Sequence, residues 1–330
     1  MKKIDAFCHV FPAGHAARLN NASPGGYYLD RVNASTPALT DLDRRFAVMD
    51  GFGDYAQILT LAGPPIEVVA SGDTAVDLCR AANDEMADLC DRHPDRFPFF
   101  VASVPMHDGE AAAAEAERAF TELSAVGVQV HSPAAGRPLD DGMFDSLWWY
   151  CETRCLPVWI HPLRSIERAD YPYVEDRSYH WVFSMIGWPY ETAAAMLRLV
   201  FGGVTTAHPR LKFVVHHAGG MIPFLATRIS GGADYAARCC GAKWAQKVQD
   251  PLAELCKFYA DTALYGNPSA IRCAHEFFGP SHLLFATDMP YGVNDGSGYV
   301  KDTIDAVRKG VPGDALPEVF AGNILSLIGR

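Results

Sequence analysis

The chain has 330 residues, of which 49% are hydrophobic and 20% are charged, and its formal net charge at pH 7 is −11. This composition is typical of a globular protein with enough apolar material for a large core, and the acidic balance argues against a nucleic-acid partner, which needs clustered Lys and Arg. It does not exclude a small anionic substrate, because a few local arginines can outweigh the overall field.

Short apolar runs alternate with helical patterns along the chain. The first predicted strand, residues 4–12, opens onto a segment rich in Gly, Asn and Ser that we expect to form a loop to about residue 38. Further strands are predicted at residues 56–61, 97–103, 127–131, 156–161, 211–217, 258–261 and 283–287. Helices are predicted at residues 39–51, 74–93, 108–125, 142–155, 191–202 and 219–230, and after Asn267 and Gly298.

These elements form about eight strand–helix units whose strands read as continuous apolar runs, the pattern of parallel strands buried on both sides. We therefore predict an α/β fold, a distorted (β/α)8 TIM barrel that forms one domain over residues 1–330. A doubly wound open sheet is the alternative, but the Gly-rich phosphate turn is missing after the first strand. Two lid loops are expected at about 12–38 and 163–185, and an insertion at about 232–257.

Cysteine usage and hydropathy predict the compartment. The nine cysteines are an odd number without a C-x-x-C pair, which favours free thiols and a reducing environment. No apolar segment follows Met1-Lys2-Lys3, so no signal peptide is expected. The longest apolar run, 193–204, contains Arg198 and is too short to cross a bilayer. We expect a cytoplasmic protein without a membrane partner.

Polar side chains stand at the ends of four predicted strands. They are His9, His161, the pair His216-His217 and Asp288, and each precedes a Gly or Pro loop signal. Since a TIM barrel carries its chemistry at the carboxyl ends of its strands, we expect these groups to converge. Imidazole and carboxylate together suit Zn²⁺ or a similar cation. A serine nucleophile is disfavoured because no G-x-S-x-G elbow is present.

Within the first strand, simple alternation predicts that Asp5, Phe7 and His9 share one face. Of the adjacent pair on the sixth strand, His217 is then predicted to be catalytic. His216, on the opposite face, is predicted to be a core histidine.

Several short motifs in order carry a family resemblance. They are residues 4–12, IGWPYET at 186–192, HPRLK at 208–212, HAGGMIP at 217–223, ATDMP at 286–290 and AGN at 321–323. With them the chain resembles the amidohydrolase-2 branch of the amidohydrolase superfamily, the group around aminocarboxymuconate-semialdehyde and γ-resorcylate decarboxylases. The resemblance implies a distorted TIM barrel with one divalent metal, usually zinc and sometimes manganese.

The resemblance also assigns metal ligands. His161 and Asp288 match the ligands that end strands five and eight, and His9 matches the second member of a ligand pair on strand one. The first member of that pair falls on Phe7, which cannot coordinate a cation. A site that relies on the other three residues is therefore one expectation, and a chain without metal is another.

Further roles follow from the same comparison. His217 matches the acid/base histidine of strand six, with Asp288 as a second candidate acid. Arg228 matches an arginine that crosses a dimer interface to a substrate carboxylate, which implies a homodimer. Trp181 and Arg31 lie near an active-site tryptophan and a second carboxylate-binding arginine.

Other residues are expected to border the substrate. Arg164 and a run of aromatic residues follow strand five, where a lid belongs, and suit a planar acid. Phe7, Trp188 and, from strand four, His131 complete the expected substrate-binding set.

Three functions are compatible with these residues. The first is non-oxidative decarboxylation of an aromatic or unsaturated carboxylic acid, with the metal polarising an oxygen next to the carboxylate. The second is metal-dependent hydrolysis of an ester, lactone, amide or C–C bond. The third is a metal-free descendant that acts as a lyase or binds a ligand.

Overall fold

The computed structural model describes residues 1–23 and 27–330; the lid predicted at 12–38 therefore lies partly outside the described residues. The strands are β1 (Lys3–Val10), β2 (Tyr55–Leu61), β3 (Phe99–Phe100), β4 (Ala102–Ser103), β5 (Val128–Ser132), β6 (Val158–Pro162), β7 (Phe213–Val215), β8 (Tyr259–Asp261) and β9 (Leu283–Leu284). Each pairs in parallel with its sequence neighbours, in the orders β1-β2-β3 and β4 through β9.

Backbone hydrogen bonds join the two sheets into a barrel. Val101 lies between β3 and β4, and its N–H donates to the carbonyl of Leu59 at 2.9 Å, so these two short segments serve as one strand. On the other side, the N–H of Ala6 donates to Phe285 O at 2.9 Å and that of His9 to Met289 O at 2.7 Å. The predicted (β/α)8 barrel is confirmed, with eight strand positions.

Helices connect the strands. They are α1 (Ala13–Ala22), α2 (Leu29–Ala34), α3 (Leu42–Asp50), α4 (Ile66–Val69), α5 (Gly72–Arg92), α6 (Gly109–Leu123), α7 (Asp145–Arg154), α8 (Val182–Met185), α9 (Gly187–Phe201), α10 (Val204–Ala207), α11 (Ile222–Cys239), α12 (Lys243–Gln246), α13 (Pro251–Leu255), α14 (Pro268–Phe278), α15 (Ser297–Gly310) and α16 (Asn323–Leu327). Short 3-10 turns occur at Pro37–Leu39, Gly142–Phe144 and His217–Gly219, and a π-helical turn at Glu318–Gly322. Within the described residues, no helix is long and apolar enough to cross a membrane.

The first predicted lid is more regular than its composition suggests. The expected loop contains α1 and α2. These helices bury hydrophobic side chains such as Leu19 and Leu29, which stabilises them. In the segment 232–257, expected as a polar insertion or a helix pair, α11 continues to Cys239 and α12 and α13 follow it. The second lid, 163–185, is irregular up to α8, as its sequence predicts.

Two apolar layers hold the barrel. One fills the space between strands and helices, and the other fills the barrel interior with side chains that include Phe7, Ile58, Trp159, Val214 and Leu284. Each large interior side chain contributes roughly 1.5–3 kcal/mol to folding through burial.

The first strand departs from simple alternation. The pairing of β1 with β2 shifts between Asp5 and Cys8, and both Ala6 and Phe7 pack in the barrel interior. The prediction that Asp5 and Phe7 share a face was wrong, because a bulge adds one residue and changes the alternation on either side. Asp5 instead accepts hydrogen bonds from Tyr55 Oη at 2.6 Å and from the backbone N–H of Thr287 at 3.0 Å.

Candidate metal centre and cavity

Four side chains converge at the carboxyl end of the barrel. They are His9 from β1, His161 from β6, His216 directly after β7 and Asp288 after β9, and one donor atom from each lies within 4.8 Å of the others. His9 Nε2 is 3.2 Å and His216 Nε2 is 3.5 Å from Asp288 Oδ1. The structure thus brings together the three predicted ligands and adds His216.

Each of the three imidazoles is oriented by a hydrogen-bond partner at its Nδ1 atom. His161 Nδ1 is 2.7 Å from the carbonyl oxygen of Pro162. His9 Nδ1 is 3.2 Å from Thr60 Oγ1, whose own hydroxyl donates to the carbonyl of Cys8 at 3.1 Å. Since both partners are then acceptors, Nδ1 carries the proton and Nε2 keeps its lone pair for the cluster.

His216 is held by a carboxylate. Its Nδ1 hydrogen-bonds to Asp261 at the end of β8, and Asp261 Oδ1 also accepts from the N–H groups of Ala218 and Ala263, each at 3.1 Å. A carboxylate bound to the far nitrogen of a histidine is a common partner of metal-ligating imidazole. It fixes the ring so that Nε2 faces Asp288.

The cluster fits a divalent cation. The Nε2 atoms of His9 and His216 are buried and have no hydrogen-bond partner among the described residues, although an unsatisfied buried polar atom is costly. Three imidazole nitrogens and one carboxylate oxygen form a donor set that suits zinc or a similar ion. A cation bound by these four atoms would satisfy both orphaned nitrogens.

Electrostatics favour the charged forms of Asp288 and His216 and the neutral form of His161. Burial would raise the pKa of Asp288, but the nearby imidazoles of His216 and His9 hold it well below its usual value. Burial opposes protonation of His216, yet Asp261 and Asp288 raise its pKa to about 10. Burial, followed by the neighbouring imidazoles, lowers the pKa of His161 well below its usual range. A cation entering this cluster competes with the proton on His216.

His216 does not lie where alternation predicts it. His216, expected in the core, points into the cluster, because β7 ends at Val215 and the chain turns at His217 with a φ of 55°. The His217 ring is centred 4.0 Å from that of His216 and stacks against Trp188 at 6.4 Å. Burial, and then His216, lower its pKa to about 3. The acid/base role of His217 stays a prediction.

Phe7 closes the inner side of the cluster. Its ring centroid lies 4.3 Å from that of His216, 5.4 Å from His9 and 5.9 Å from His161, and the side chain is fully buried. It belongs to the barrel interior rather than to the cavity wall. The expectation that Phe7 borders the substrate is therefore replaced by contact with the three imidazoles.

A cavity of about 330 Å³ opens over the cluster, a size within the usual range for small-molecule sites. His9, His161 and Asp288 reach it from the barrel, and His131, Trp181 and Trp188 also line it. The substrate-binding roles expected for these last three residues stay predictions. Its other aromatic lining residues are Tyr28, Phe183, Tyr265, Tyr291 and Tyr299. The walls suit a flat, largely apolar molecule whose polar end faces the cluster.

The predicted arginines do not reach this cavity. Arg164 lies at the start of the segment 163–185, and its guanidinium is 3.2 Å from Asp170 and 3.5 Å from Glu191. Arg31 on α2 and Arg228 on α11 are exposed, and neither lines the cavity. The contacts of Arg31 and Arg164 with a substrate carboxylate stay predictions. Among the described residues, no Arg or Lys lines the cavity.

Three residues near the site were not predicted from the sequence. Asp261 ends a predicted strand, and the same strand-end rule that identified Asp288 could have found it. Tyr265, four residues later, donates its hydroxyl hydrogen to Asp288 Oδ2 at 3.2 Å, but no motif marks it. Glu67 on α4 is buried with its Oε1 atom 4.0 Å from His131 Nδ1, and the sequence around it contains no signal of a site.

Comparison with known proteins shows consistent matches. A family model described as Amidohydrolase matches residues 4–329. A 6-methylsalicylic acid decarboxylase of Penicillium expansum is 27% identical over 100% of this chain and 97% of its own length. A gamma-resorcylate decarboxylase of Rhizobium radiobacter is 31% identical over 81% of each chain.

The fold has close structural counterparts. The crystal structure of a 5-carboxyvanillate decarboxylase from Novosphingobium aromaticivorans superposes with a TM-score of 0.84, at 24% identity, over 100% of this chain and 96% of that one. That protein was crystallised with manganese and 4-hydroxy-3-methoxy-5-nitrobenzoic acid. At this identity the similarity establishes the barrel fold.

Proposed function

The chain belongs to the amidohydrolase family, and on this premise we propose that it is a metal-dependent, non-oxidative decarboxylase of a small aromatic carboxylic acid. The observation that carries the proposal is the convergence of three Nε2 atoms on Asp288 at the base of an aromatic cavity. The names of the relatives support it, since the 6-methylsalicylic acid and gamma-resorcylate enzymes are both decarboxylases of aromatic acids.

The proposed substrate is a benzoate with a hydroxyl next to the carboxylate. The cavity walls would hold its ring between Trp188 and the tyrosines, with both oxygen substituents toward the cluster. His9, His161, His216 and Asp288 would hold the cation, which would supply Lewis-acid polarisation of the substrate oxygens. Aromatic contacts with the ring would limit its orientation and so reduce the freedom lost on reaction.

Asp288 is the proposed proton carrier. Its Oδ1 atom faces the histidines and Oδ2 accepts from Tyr265, and the residue lines the cavity, which His217 does not. The depressed pKa keeps the carboxylate ionised before substrate binds. We propose that it accepts the substrate hydroxyl proton and returns a proton to the ring carbon as the C–C bond to the carboxylate breaks and carbon dioxide leaves. His217, stacked on Trp188, is the alternative acid.

Zinc is the proposed ion and manganese the alternative. The nitrogen-rich donor set supports zinc, while the related 5-carboxyvanillate enzyme was crystallised with manganese. Metal analysis of protein purified without chelator distinguishes these two ions from a metal-free chain. The metal-free chain is an alternative because Phe7 stands where the family resemblance expects a ligand. One ion per chain is the predicted result.

A homodimer is also proposed. Arg228 is exposed, and Phe224, one turn earlier on α11, is 84% exposed. Together they leave an apolar surface and a cation available to a second copy, whose substrate carboxylate Arg228 would contact. Light scattering and a sedimentation experiment on the purified chain measure the oligomeric state directly.

Location in the cytoplasm is proposed from the thiols. All nine cysteines are described and free, and Cys8, Cys79 and Cys151 are buried. Unpaired buried cysteines are usual in a reducing compartment.

Carbon dioxide release tests the activity. Substituted 2-hydroxybenzoates labelled with carbon-13 in the carboxyl group would be incubated with metal-loaded protein, and the labelled gas measured by mass spectrometry. Labelled carbon dioxide with the matching phenol is expected. Net water uptake by an ester, lactone or amide without carbon dioxide would instead identify the chain as a hydrolase.

A further inference from the structure

A substrate carboxylate in this cavity would need a hydrogen-bond donor or a positive charge besides the proposed metal. No Arg or Lys among the described residues lines it, so within one chain a substrate anion must find a neutral hydrogen-bond donor or the cation. Most aromatic donors at the wall already have protein acceptors. Tyr28 Oη and Trp188 Nε1 both donate to the carbonyl of Arg164, at 3.3 and 3.2 Å.

The remaining tyrosines nearest the cluster are also engaged. Tyr265 donates to Asp288, and Tyr291 Oη donates to Asn33 Oδ1 at 3.0 Å. His131 differs from them. It lies on β5 and pairs with His161 on β6, its ring centroid is 5.4 Å from that of His161, and it lines the cavity.

Behind His131 stands a buried acid with no assigned partner. The Glu67 side chain is 3% exposed, and its Oε1 atom has no hydrogen-bond partner among the described residues. Oε1 is 4.0 Å from His131 Nδ1, about 1 Å longer than a hydrogen bond. Glu67 does not line the cavity, so the Nδ1 edge of the ring faces the protein and the Nε2 edge is left for the cavity.

We propose that Glu67 positions His131 so that its Nε2–H group donates a hydrogen bond to the carboxylate of the substrate. A neutral Glu67 would donate its proton to Nδ1, which leaves the single imidazole proton on Nε2. Burial raises the pKa of Glu67 to about 7, a direction that favours the neutral carboxyl group.

The inference deepens the proposed function and rests on it, because it takes an aromatic carboxylate as the ligand. In it, His131 would contact the substrate, and Glu67 would position His131 without touching the substrate itself. The pair would select a hydroxybenzoate over an uncharged analogue of the same shape, since hydrogen bonds to ionised groups are stronger than those to neutral ones.

Equilibrium binding tests the pair without relying on turnover. Quenching of the cavity tryptophans would be measured on metal-loaded protein with 2-hydroxybenzoate and with 2-hydroxybenzyl alcohol, which lacks the carboxylate. For Glu67→Ala and His131→Asn, we expect the Kd of 2-hydroxybenzoate to rise at least tenfold and that of the alcohol to change less than twofold. Glu67→Gln is the matched control, because its amide N–H can donate to Nδ1 and should keep the Kd within about threefold of the original.

Three results would overturn the proposal. Equal loss of both ligands in Glu67→Ala and His131→Asn would mean a general change in cavity shape, and unchanged binding of 2-hydroxybenzoate would mean that the pair does not contact the carboxylate. Absence of 2-hydroxybenzoate binding by the unsubstituted protein would overturn it as well. Selective binding without any release of carbon dioxide would leave this inference supported and the proposed decarboxylase activity refuted.

Discussion

The phenyl ring of Phe7 packs against the imidazole of His216 with their centroids 4.3 Å apart and their planes tilted by 32°. Phe7 occupies the β1 position where the family resemblance places a metal ligand. The fourth donor of the cluster comes instead from the end of β7. An apolar ring in van der Waals contact with His216 excludes water from its inner face and restricts its rotation, which supports the interpretation of His216 as a ligand.

Substitution of Phe7 should therefore weaken metal binding. In Phe7→Leu, the smaller side chain leaves His216 less restricted, and we expect the metal Kd, measured by chelator competition, to rise about tenfold, along with a stability loss of about 1–2 kcal/mol. Phe144→Leu, also fully buried but outside the barrel interior, is the control. Equal metal affinity in the two variants would contradict the role assigned to Phe7.

Asp261 should control the affinity of the same site. Asp261→Asn keeps the shape but presents an amide that can no longer fix the Nδ1 proton of His216 as the carboxylate does. Loss of such a partner typically costs 10- to 100-fold in metal affinity or activity, and we expect a metal Kd raised by about that factor. Chelator competition at constant pH measures it. A Kd within twofold of the original would show that His216 binds no cation.

Tyr265 should matter for turnover more than for folding. Tyr265→Phe removes only the hydroxyl that donates to Asp288 Oδ2, and the loss of a hydrogen bond to a charged group predicts a fall in kcat of roughly 10- to 100-fold. Tyr299→Phe is the matched control, because its ring stacks on Tyr265 with centroids 4.1 Å apart. If both variants kept full kcat, Tyr265 would have only a packing role.

His15 should make the fold sensitive to acid. This α1 residue is fully buried, and burial lowers its pKa to about 4, so the folded state binds its proton less readily than the unfolded chain does. The stabilising effect is therefore present above about pH 6.5 and is lost as the pH falls toward 4, by about 3 kcal/mol in total. In His15→Leu, urea unfolding should show a flatter decline over this range. An unchanged slope would mean that another group controls acid unfolding.

The barrel and the positions of its chemistry were accessible from the sequence. Parallel strands buried on both sides leave apolar runs, and the ends of those runs locate His9, His161 and Asp288 because the fold brings all strand ends to one edge. The family model over residues 4–329 confirms the predicted family.

Details within the site depended on local backbone geometry that periodicity cannot predict. A bulge in β1 separates Asp5 from Phe7, and the early end of β7 directs His216, rather than His217, into the cluster. Arg164 forms ion pairs with Asp170, in the same irregular segment, and with Glu191 on α9. Such ion pairs leave no periodic trace in a single sequence.

The most direct test of the central claim is a metal titration of activity. Metal-stripped protein would receive increasing Zn²⁺ or Mn²⁺ while carbon dioxide release from a 2-hydroxybenzoate is measured, with His161→Ala in parallel. We expect a rate that rises linearly to one ion per chain and then stays constant, and an inactive His161→Ala variant. Full carbon dioxide release by the metal-stripped protein, unaffected by His161→Ala, would contradict it.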